Sequence, residues 1–213
     1  MTPEDASAYA REICGLAPVI PVIVVKDAGH ARPLAKALVA GGLPVLEVTL
    51  RTPAALDAIR AMAEVEGGIV GAGTLLTPAD VKAAKAAGAN FGVSPGLTDS
   101  LLKACEDEEL PLLAGTATVS EAMRLLERGY SVAKFFPAEA NGGAPSLKAY
   151  AGPIPQMHYC PTGGITPRTA STYLALPNVL CVGGSWVCDP GLLADERWDE
   201  VERLAREARE LRG

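Results

Sequence analysis

Lys134 is the residue most open to chemistry, because it interrupts the apolar run Val132–Phe136, which is typical of a buried strand. A lysine there either extends to water or lies in the interior, where loss of water disfavours its ammonium form. The neutral amine is the species that attacks ketones. The residues alone leave a structural role for Lys134 open as well. Among the other lysines, only Lys26 ends a predicted strand.

Polar side chains alternate with apolar ones in the segment Val45–Arg51. If this segment is a strand, Glu47, Thr49 and Arg51 share one face, because strand side chains alternate between the two faces. Buried polar groups are costly unless they meet partners or a substrate. The pattern favours a functional site, and an internal salt bridge to a lysine on another strand is the structural alternative.

Glycine pairs end the last two apolar runs of the chain. Thr162–Ile165 and Gly183–Trp186 each contain two adjacent glycines, and backbone N–H groups at such turns can converge on an anion. Two tight turns without a ligand are the alternative. Gly71–Thr74 lacks the third glycine of a dinucleotide-binding fingerprint, so it indicates close packing of strands and not a nicotinamide cofactor.

The composition limits the class of partner. The chain has 213 residues, 49% of them hydrophobic, and a net charge of -6, which predicts one globular domain over residues 1–213 and argues against nucleic acid. We expect no membrane span, and the first residues lack the basic region of a secretory signal. The five scattered cysteines predict buried free thiols in a reducing cytoplasm. With two histidines, we expect no metal centre.

Short apolar runs alternate with amphipathic segments along the chain, and eight strand–helix units with apolar strands favour a (β/α)8 (TIM) barrel with an extra helix at its start. An open, doubly wound sheet is the alternative. The predicted strands are Val19–Val25, Val45–Leu50, Ile69–Thr74, Asn90–Ser94, Leu112–Gly115, Val132–Phe136, Tyr159–Thr162 and Val179–Gly183. The predicted helices are Pro3–Cys14, Gly29–Ala40, Pro53–Glu64, Pro78–Ala87, Thr98–Cys105, Val119–Leu126, Pro167–Leu174 and Trp198–Leu211, with a short turn at Ser146–Ala149.

Residues at the ends of these helices support the boundaries. Thr77 and Thr166 each precede a proline, which predicts an N-cap followed by proline at the first helical position. Gly41, Gly88 and Gly129 stand where helices should stop.

In these motifs the chain resembles the family of 2-keto-3-deoxy-6-phosphogluconate (KDPG) aldolases, which also act on 4-hydroxy-2-oxoglutarate. The resemblance runs in order from about Ala17 to the final helix. It rests on the segments Val45–Thr52, Gly71–Thr74, Ser94–Gly96, Lys134–Glu139, Pro161–Ile165 and Gly183–Trp186.

The resemblance implies a homotrimeric, metal-independent class I aldolase that cleaves KDPG to pyruvate and glyceraldehyde 3-phosphate and needs no cofactor. Lys134 would form the Schiff base and Glu47 would transfer protons. The remaining implied contacts all bind substrate: Arg51 and Thr74 at the carboxylate, Thr162 and Pro95 near the keto acid, Phe136 against the substrate, and Gly163, Gly164, Gly184 and Ser185 at the phosphate.

One segment departs from the family pattern. The chain has Ala114–Thr118 where relatives often have Pro-Gly-Ile-Ser-Thr, which leaves the rim of the site and the range of substrates open. Two other interpretations also stay open. One is a different phosphate-binding barrel enzyme, such as an aldolase for the galactonate epimer or a thiamin-phosphate-synthase-like protein. The other is an anion-binding barrel without catalysis.

Overall fold

Short parallel strands alternate with helices in the computed structural model, which describes residues 1–211. The strands are β1 (Val19–Ile23), β2 (Val45–Thr49), β3 (Ile69–Gly73), β4 (Phe91–Val93), β5 (Leu112–Leu113), β6 (Gly115–Thr116), β7 (Val132–Phe135), β8 (His158–Pro161) and β9 (Val182–Gly184). The helices are α1 (Pro3–Gly15), α2 (Ala31–Ala40), α3 (Ala55–Ala63), α4 (Pro78–Ala86), α5 (Asp99–Asp107), α6 (Val119–Glu127), α7 (Gly143–Tyr150), α8 (Pro167–Leu174), α9 (Pro190–Ala194) and α10 (Trp198–Arg209). The predicted α/β class and the extra helix at the start are confirmed.

The strands form two sheets in which every pairing is parallel. One sheet has the order β5-β4-β3-β2-β1-β9 and the other has the order β6-β7-β8. The predicted strand Leu112–Gly115 is therefore two short strands, one in each sheet, separated by Ala114. Isolated parallel bridges also join Tyr159 to Val179 and Thr162 to Gly183. Because the pairings are parallel, the strands of each sheet end at the same edge.

Helix boundaries follow the predicted caps in most places. The Thr77 hydroxyl accepts a hydrogen bond from the backbone N–H of Asp80 at 3.2 Å at the start of α4. Gly88 and Gly129 follow helix ends and both have a φ of 92°, the left-handed conformation that glycine adopts without a steric penalty. Gly41 ends α2, but the left-handed residue there is the next one, Gly42.

The prediction of only a short turn at Ser146–Ala149 was wrong, because the structure has the helix α7 over Gly143–Tyr150. The helix begins earlier than the predicted turn, at Gly143, and has Pro145 in its first turn. Proline in the first turn of a helix removes no intrahelical hydrogen bond, since the N–H groups there have no partner within the helix.

Buried side chains divide between the two faces of the strands. The larger apolar cluster includes Leu46 and Ala133 and packs between the sheets and the helices. The smaller cluster includes Val45 and Val132 and also contains Ile13 from α1. We call the face that carries this smaller cluster the inner face. Since strand residues two apart share a face, the inner face also carries the next alternate residues of β2 and β7.

Candidate active site

Glu47 on β2 and Lys134 on β7 form a buried ion pair on the inner face. The Lys134 Nζ lies 3.3 Å from the Glu47 Oε1, and the two side chains are 5% and 4% exposed. Removing two charges from water is costly, and their mutual attraction offsets this cost only in part. A buried amine and carboxylate within hydrogen-bond reach can exchange a proton, which makes the pair a candidate for acid–base chemistry.

Gly73 makes room for the Glu47 side chain. A Cβ atom at Gly73 would lie 2.4 Å from the Glu47 Oε1, and a Cβ atom at Gly71 would lie 2.3 Å from the ring of Phe91. Neither distance is compatible with a side chain at these positions. The prediction that the glycines of Gly71–Thr74 serve close packing is therefore confirmed.

Arg51 and Thr74 meet where β2 and β3 end. The Arg51 Nε donates a hydrogen bond to the Thr74 hydroxyl at 3.1 Å. Thr74 has a φ of 62°, which is unusual for a β-branched residue and is found mainly where function requires it. Thr49 has a different role from Glu47, because its hydroxyl donates to the carbonyl of Ile23 at 3.0 Å. Its hydroxyl ties β2 to β1.

A cavity of about 360 Å³ opens beside these strand ends. Six of the predicted substrate-binding residues line it, namely Arg51, Phe136, Thr162, Gly163, Gly164 and Ser185. The ring centroid of Phe136 lies 5.1 Å from the Lys134 Nζ, so the ion pair lies close to the cavity wall. The cavity therefore brings a guanidinium group and two glycine turns close to the buried amine and carboxylate, which are not themselves among its described lining residues.

The glycine turns leave no space for larger residues. Gly163 and Gly164 have φ values of 106° and 79°, a region that favours glycine. A Cβ atom at Gly183 would lie 2.2 Å from the Thr162 Oγ1, and one at Gly184 would lie 2.0 Å from the ring of Trp186. Gly163 and Gly164 are at least partly exposed, whereas Gly183 and Gly184 are buried, so the first turn presents its backbone most openly to a ligand, as an anion site requires.

Five of the predicted site residues do not line the cavity formed by residues 1–211: the ion-paired Lys134 and Glu47, and Thr74, Pro95 and Gly184. Thr74 reaches it through Arg51, and Gly184 adjoins the lining residue Gly183. Pro95 follows β4, and its carbonyl oxygen would lie 2.3 Å from a Cβ atom at Gly115. Pro95 therefore packs the strand ends together.

The sequence reasoning did not name seven of the lining residues as site residues: Val22, Val24, Ile165, Gly183, Trp186, Asp189 and Pro190. Trp186 belongs to the Gly183–Trp186 segment, which was a usable signal. Val22 and Val24 lie at alternate positions in and after β1, so the strand period could have found them. Asp189 and Pro190 begin the short helix α9, which no apolar periodicity predicted.

All five cysteines are free and buried, as predicted. Cys160 pairs in register with Lys134. Hydrogen bonds from the thiols of Cys14 and Cys181 lower the pKa of Cys160 despite its burial, and the charge of Lys134 lowers this pKa further. Within residues 1–211, no group of three or more histidine, cysteine or acidic side chains is placed to hold a metal ion. No helix in the same range has the length and apolar character needed to cross a membrane.

Known proteins similar to this chain share its length and its fold. A family model described as KDPG and KHG aldolase matches residues 10–204. A KHG/KDPG aldolase of Escherichia coli K12 is 54% identical over 200 residues, which cover 93% of this chain and 94% of the relative.

Two solved structures are also similar to this chain. One is the KDPG aldolase of Legionella pneumophila with pyruvate captured as a covalent carbinolamine intermediate, at 46% identity, a TM-score of 0.91 and coverage of 94% of this chain and 98% of the other. The second is the Zymomonas mobilis enzyme with 3-phosphoglycerate, at 49% identity, a TM-score of 0.89 and coverage of 94% and 95%.

Proposed function

The chain belongs to the KDPG and KHG aldolase family, and from this premise we propose that Lys134 is its Schiff-base lysine and Glu47 its proton-transfer carboxylate. The protein is a class I aldolase, a carbon–carbon lyase that works without a metal. It cleaves KDPG to pyruvate and glyceraldehyde 3-phosphate, and 4-hydroxy-2-oxoglutarate to pyruvate and glyoxylate. The observation that carries the assignment of roles is the buried contact of 3.3 Å between Lys134 and Glu47 beside the cavity.

The reaction follows from an amine next to a carboxylate. The neutral amine of Lys134 adds to the C2 ketone, and loss of water leaves an iminium that accepts electrons. Glu47, through a water molecule, takes the proton of the C4 hydroxyl. The C4–O bond becomes a carbonyl, the C3–C4 bond breaks, and its electron pair moves into the iminium to give an enamine. Protonation of the enamine at C3 and hydrolysis release pyruvate and restore Lys134.

The other predicted residues bind the substrate in this proposal. Arg51, with Thr74 hydrogen-bonded to it, holds the carboxylate of the keto acid and orients the ketone toward Lys134. Thr162 and Pro95 lie near the keto acid, and the Phe136 ring packs against it. The phosphate binds at the two glycine turns, through Gly163, Gly164, Gly184 and Ser185. The cavity lining supports these roles for most of this set.

Reductive trapping tests the role of Lys134. We expect pyruvate plus borohydride to add a reduced three-carbon adduct to the wild-type chain, with the mass increase mapped to the peptide that contains Lys134. Lys134→Met should lose the adduct. Lys26→Met, which removes the lysine that follows β1, should retain it. An adduct retained in Lys134→Met, or lost in Lys26→Met, would contradict the assignment.

We also propose a finer architecture and assembly. Residues 1–213 form a single (β/α)8 barrel domain, a proposal supported by the one-residue gap between β5 and β6 and by the two bridges that link β8 to the segment around β9. Three chains assemble into a trimer, which would bury exposed apolar side chains such as Leu76, 60% exposed, and Met123, 49% exposed. The free thiols support a location in the cytoplasm.

A further inference from the structure

Glu139 lies directly behind the Gly163–Gly164 turn. Its backbone N–H donates to the carbonyl of Gly163 at 3.1 Å, and the N–H of Ala138 donates to the carbonyl of Thr162 at 2.8 Å. A Cβ atom at Gly164 would lie 2.8 Å from the Glu139 Cγ, so the Glu139 side chain rests against this glycine. The conformation of the turn is therefore coupled to the position of Glu139.

Tyr173, on α8, fixes the position of the Glu139 carboxylate. The side chain of Tyr173 is buried, and its hydroxyl donates to the Glu139 Oε1 at 2.5 Å. A hydrogen bond to an ionised acceptor is stronger than one between neutral groups. Burial raises the pKa of Tyr173, and the bond to Glu139 raises it further, so the hydroxyl keeps the proton it donates.

The direction in which Glu139 points has an electrostatic consequence. Together with Tyr173 and Gly143, Glu139 lines a second cavity, of about 360 Å³, and it is absent from the lining of the active-site cavity formed by the described residues. A carboxylate that turned toward the Gly163–Gly164 turn would repel an anion bound there. The bond from Tyr173 holds the carboxylate on the other side.

We propose that Tyr173 and Glu139 are positioning residues that hold the Gly163–Gly164 turn in its phosphate-binding conformation and keep the Glu139 charge away from the phosphate. The inference rests on the proposed function, in which this turn binds the substrate phosphate. It adds a specificity role for two residues that lie outside the active-site cavity.

The test is a comparison of two substrates that differ in the phosphate. Tyr173→Phe removes only the hydroxyl, and we expect it to raise KM for KDPG by about tenfold or more, the effect of losing one hydrogen bond to a charged group. Because 4-hydroxy-2-oxoglutarate carries no phosphate, its KM should change by less than about twofold, as should kcat for both substrates. A structural defect alone would affect both substrates.

Tyr130→Phe is the matched control, because the Tyr130 hydroxyl also donates to a glutamate, Glu106, at 3.2 Å, just before the start of β7. It should leave both KM values unchanged. Glu139→Gln keeps an oxygen that can accept the hydrogen bond from Tyr173, so its KM for KDPG should stay near the wild-type value. Glu139→Ala removes this acceptor, so its KM for KDPG should rise.

Several outcomes would overturn the inference. An unchanged KM for KDPG in Tyr173→Phe would do so, as would an equal rise in KM for both substrates. An equal rise in KM for KDPG in Tyr130→Phe would also do so, as would a rise in Glu139→Gln as large as in Glu139→Ala. Borohydride trapping of pyruvate on each variant separates this result from the proposed function. If wild type forms no adduct, the proposed function fails and the inference fails with it. If the adduct forms and the KM values do not separate, only the inference fails.

Discussion

The reactivity proposed for Lys134 depends on its neighbour Glu47, whose carboxylate lies 3.3 Å from the amine. In one state the pair holds a charged amine and a carboxylate, and after proton transfer it holds the neutral nucleophile and a carboxylic acid. Gly73 is needed for the same ion pair, because any side chain there would displace the Glu47 carboxylate. In the proposed mechanism, Lys134 reacts, Glu47 moves protons and Gly73 leaves space for the carboxylate.

Glu47→Gln separates these roles. We expect kcat for KDPG cleavage to fall by about a hundredfold or more, because the amide cannot accept the C4 hydroxyl proton. Formation of the pyruvate adduct with borohydride should persist, since Lys134 is unchanged. Glu12→Gln, the same substitution at an exposed position of α1, should leave kcat unaltered. Turnover of Glu47→Gln at the wild-type rate would show that another group is the base.

At the scale of elements, short strands position the site residues, and the ends of the helices stabilise the loops that connect these strands. The strand β7 contributes Val132 and Lys134 to the inner face and Ala133 to the helix side, so a shift of one residue would turn the lysine toward the helices. Helix caps stabilise the loops around the strands by satisfying N–H groups that have no partner inside the helix. The capping box at Thr77 and Asp80 is one such device, where the Asp80 carboxylate accepts from the Thr77 N–H at 2.9 Å.

Thr77→Ala tests this contribution. We expect a loss of about 1 kcal/mol in the free energy of unfolding, the usual cost of removing an N-cap hydroxyl. Urea denaturation at one fixed protein concentration measures it, since assembly couples stability to concentration. Ser171→Ala, at an exposed position within α8, should change the free energy by less than about 0.5 kcal/mol. Equal effects of the two substitutions would contradict the role of the cap.

The whole molecule carries a net charge of -6 yet binds an anionic substrate in the proposed function. Local groups must therefore overcome a weakly repelling overall field. Arg51 and the two glycine turns line one cavity and supply such groups. Assembly into a trimer would act at the same scale, by covering apolar surface that one chain leaves exposed.

The mass in solution tests the assembly. Three chains of 22.0 kDa predict a particle of about 66 kDa, which light scattering coupled to size-exclusion chromatography measures directly. The mass should stay constant over a tenfold dilution if the assembly is stable. A mass of one or two chains at every concentration would rule out the trimer.

The sequence by itself determined the alternation of strands and helices, most helix ends, and the identity of Lys134, Glu47 and Arg51 as site candidates. These features are local, because side-chain periods and caps involve residues a few positions apart. The error at α7 was also local, since glycine and proline at a helix start resemble a loop.

Only the tertiary structure decided which of these residues meet. Lys134 and Glu47 are 87 positions apart, and their distance depends on the order and register of strands from two sheets. The same dependence gave Thr49 a structural bond in place of a role at the cavity, brought Asp189 into the cavity lining, and placed Tyr173 behind the Gly163–Gly164 turn. Contacts of this kind cannot be read from the chain, because no local pattern encodes the distance between elements that only packing brings together.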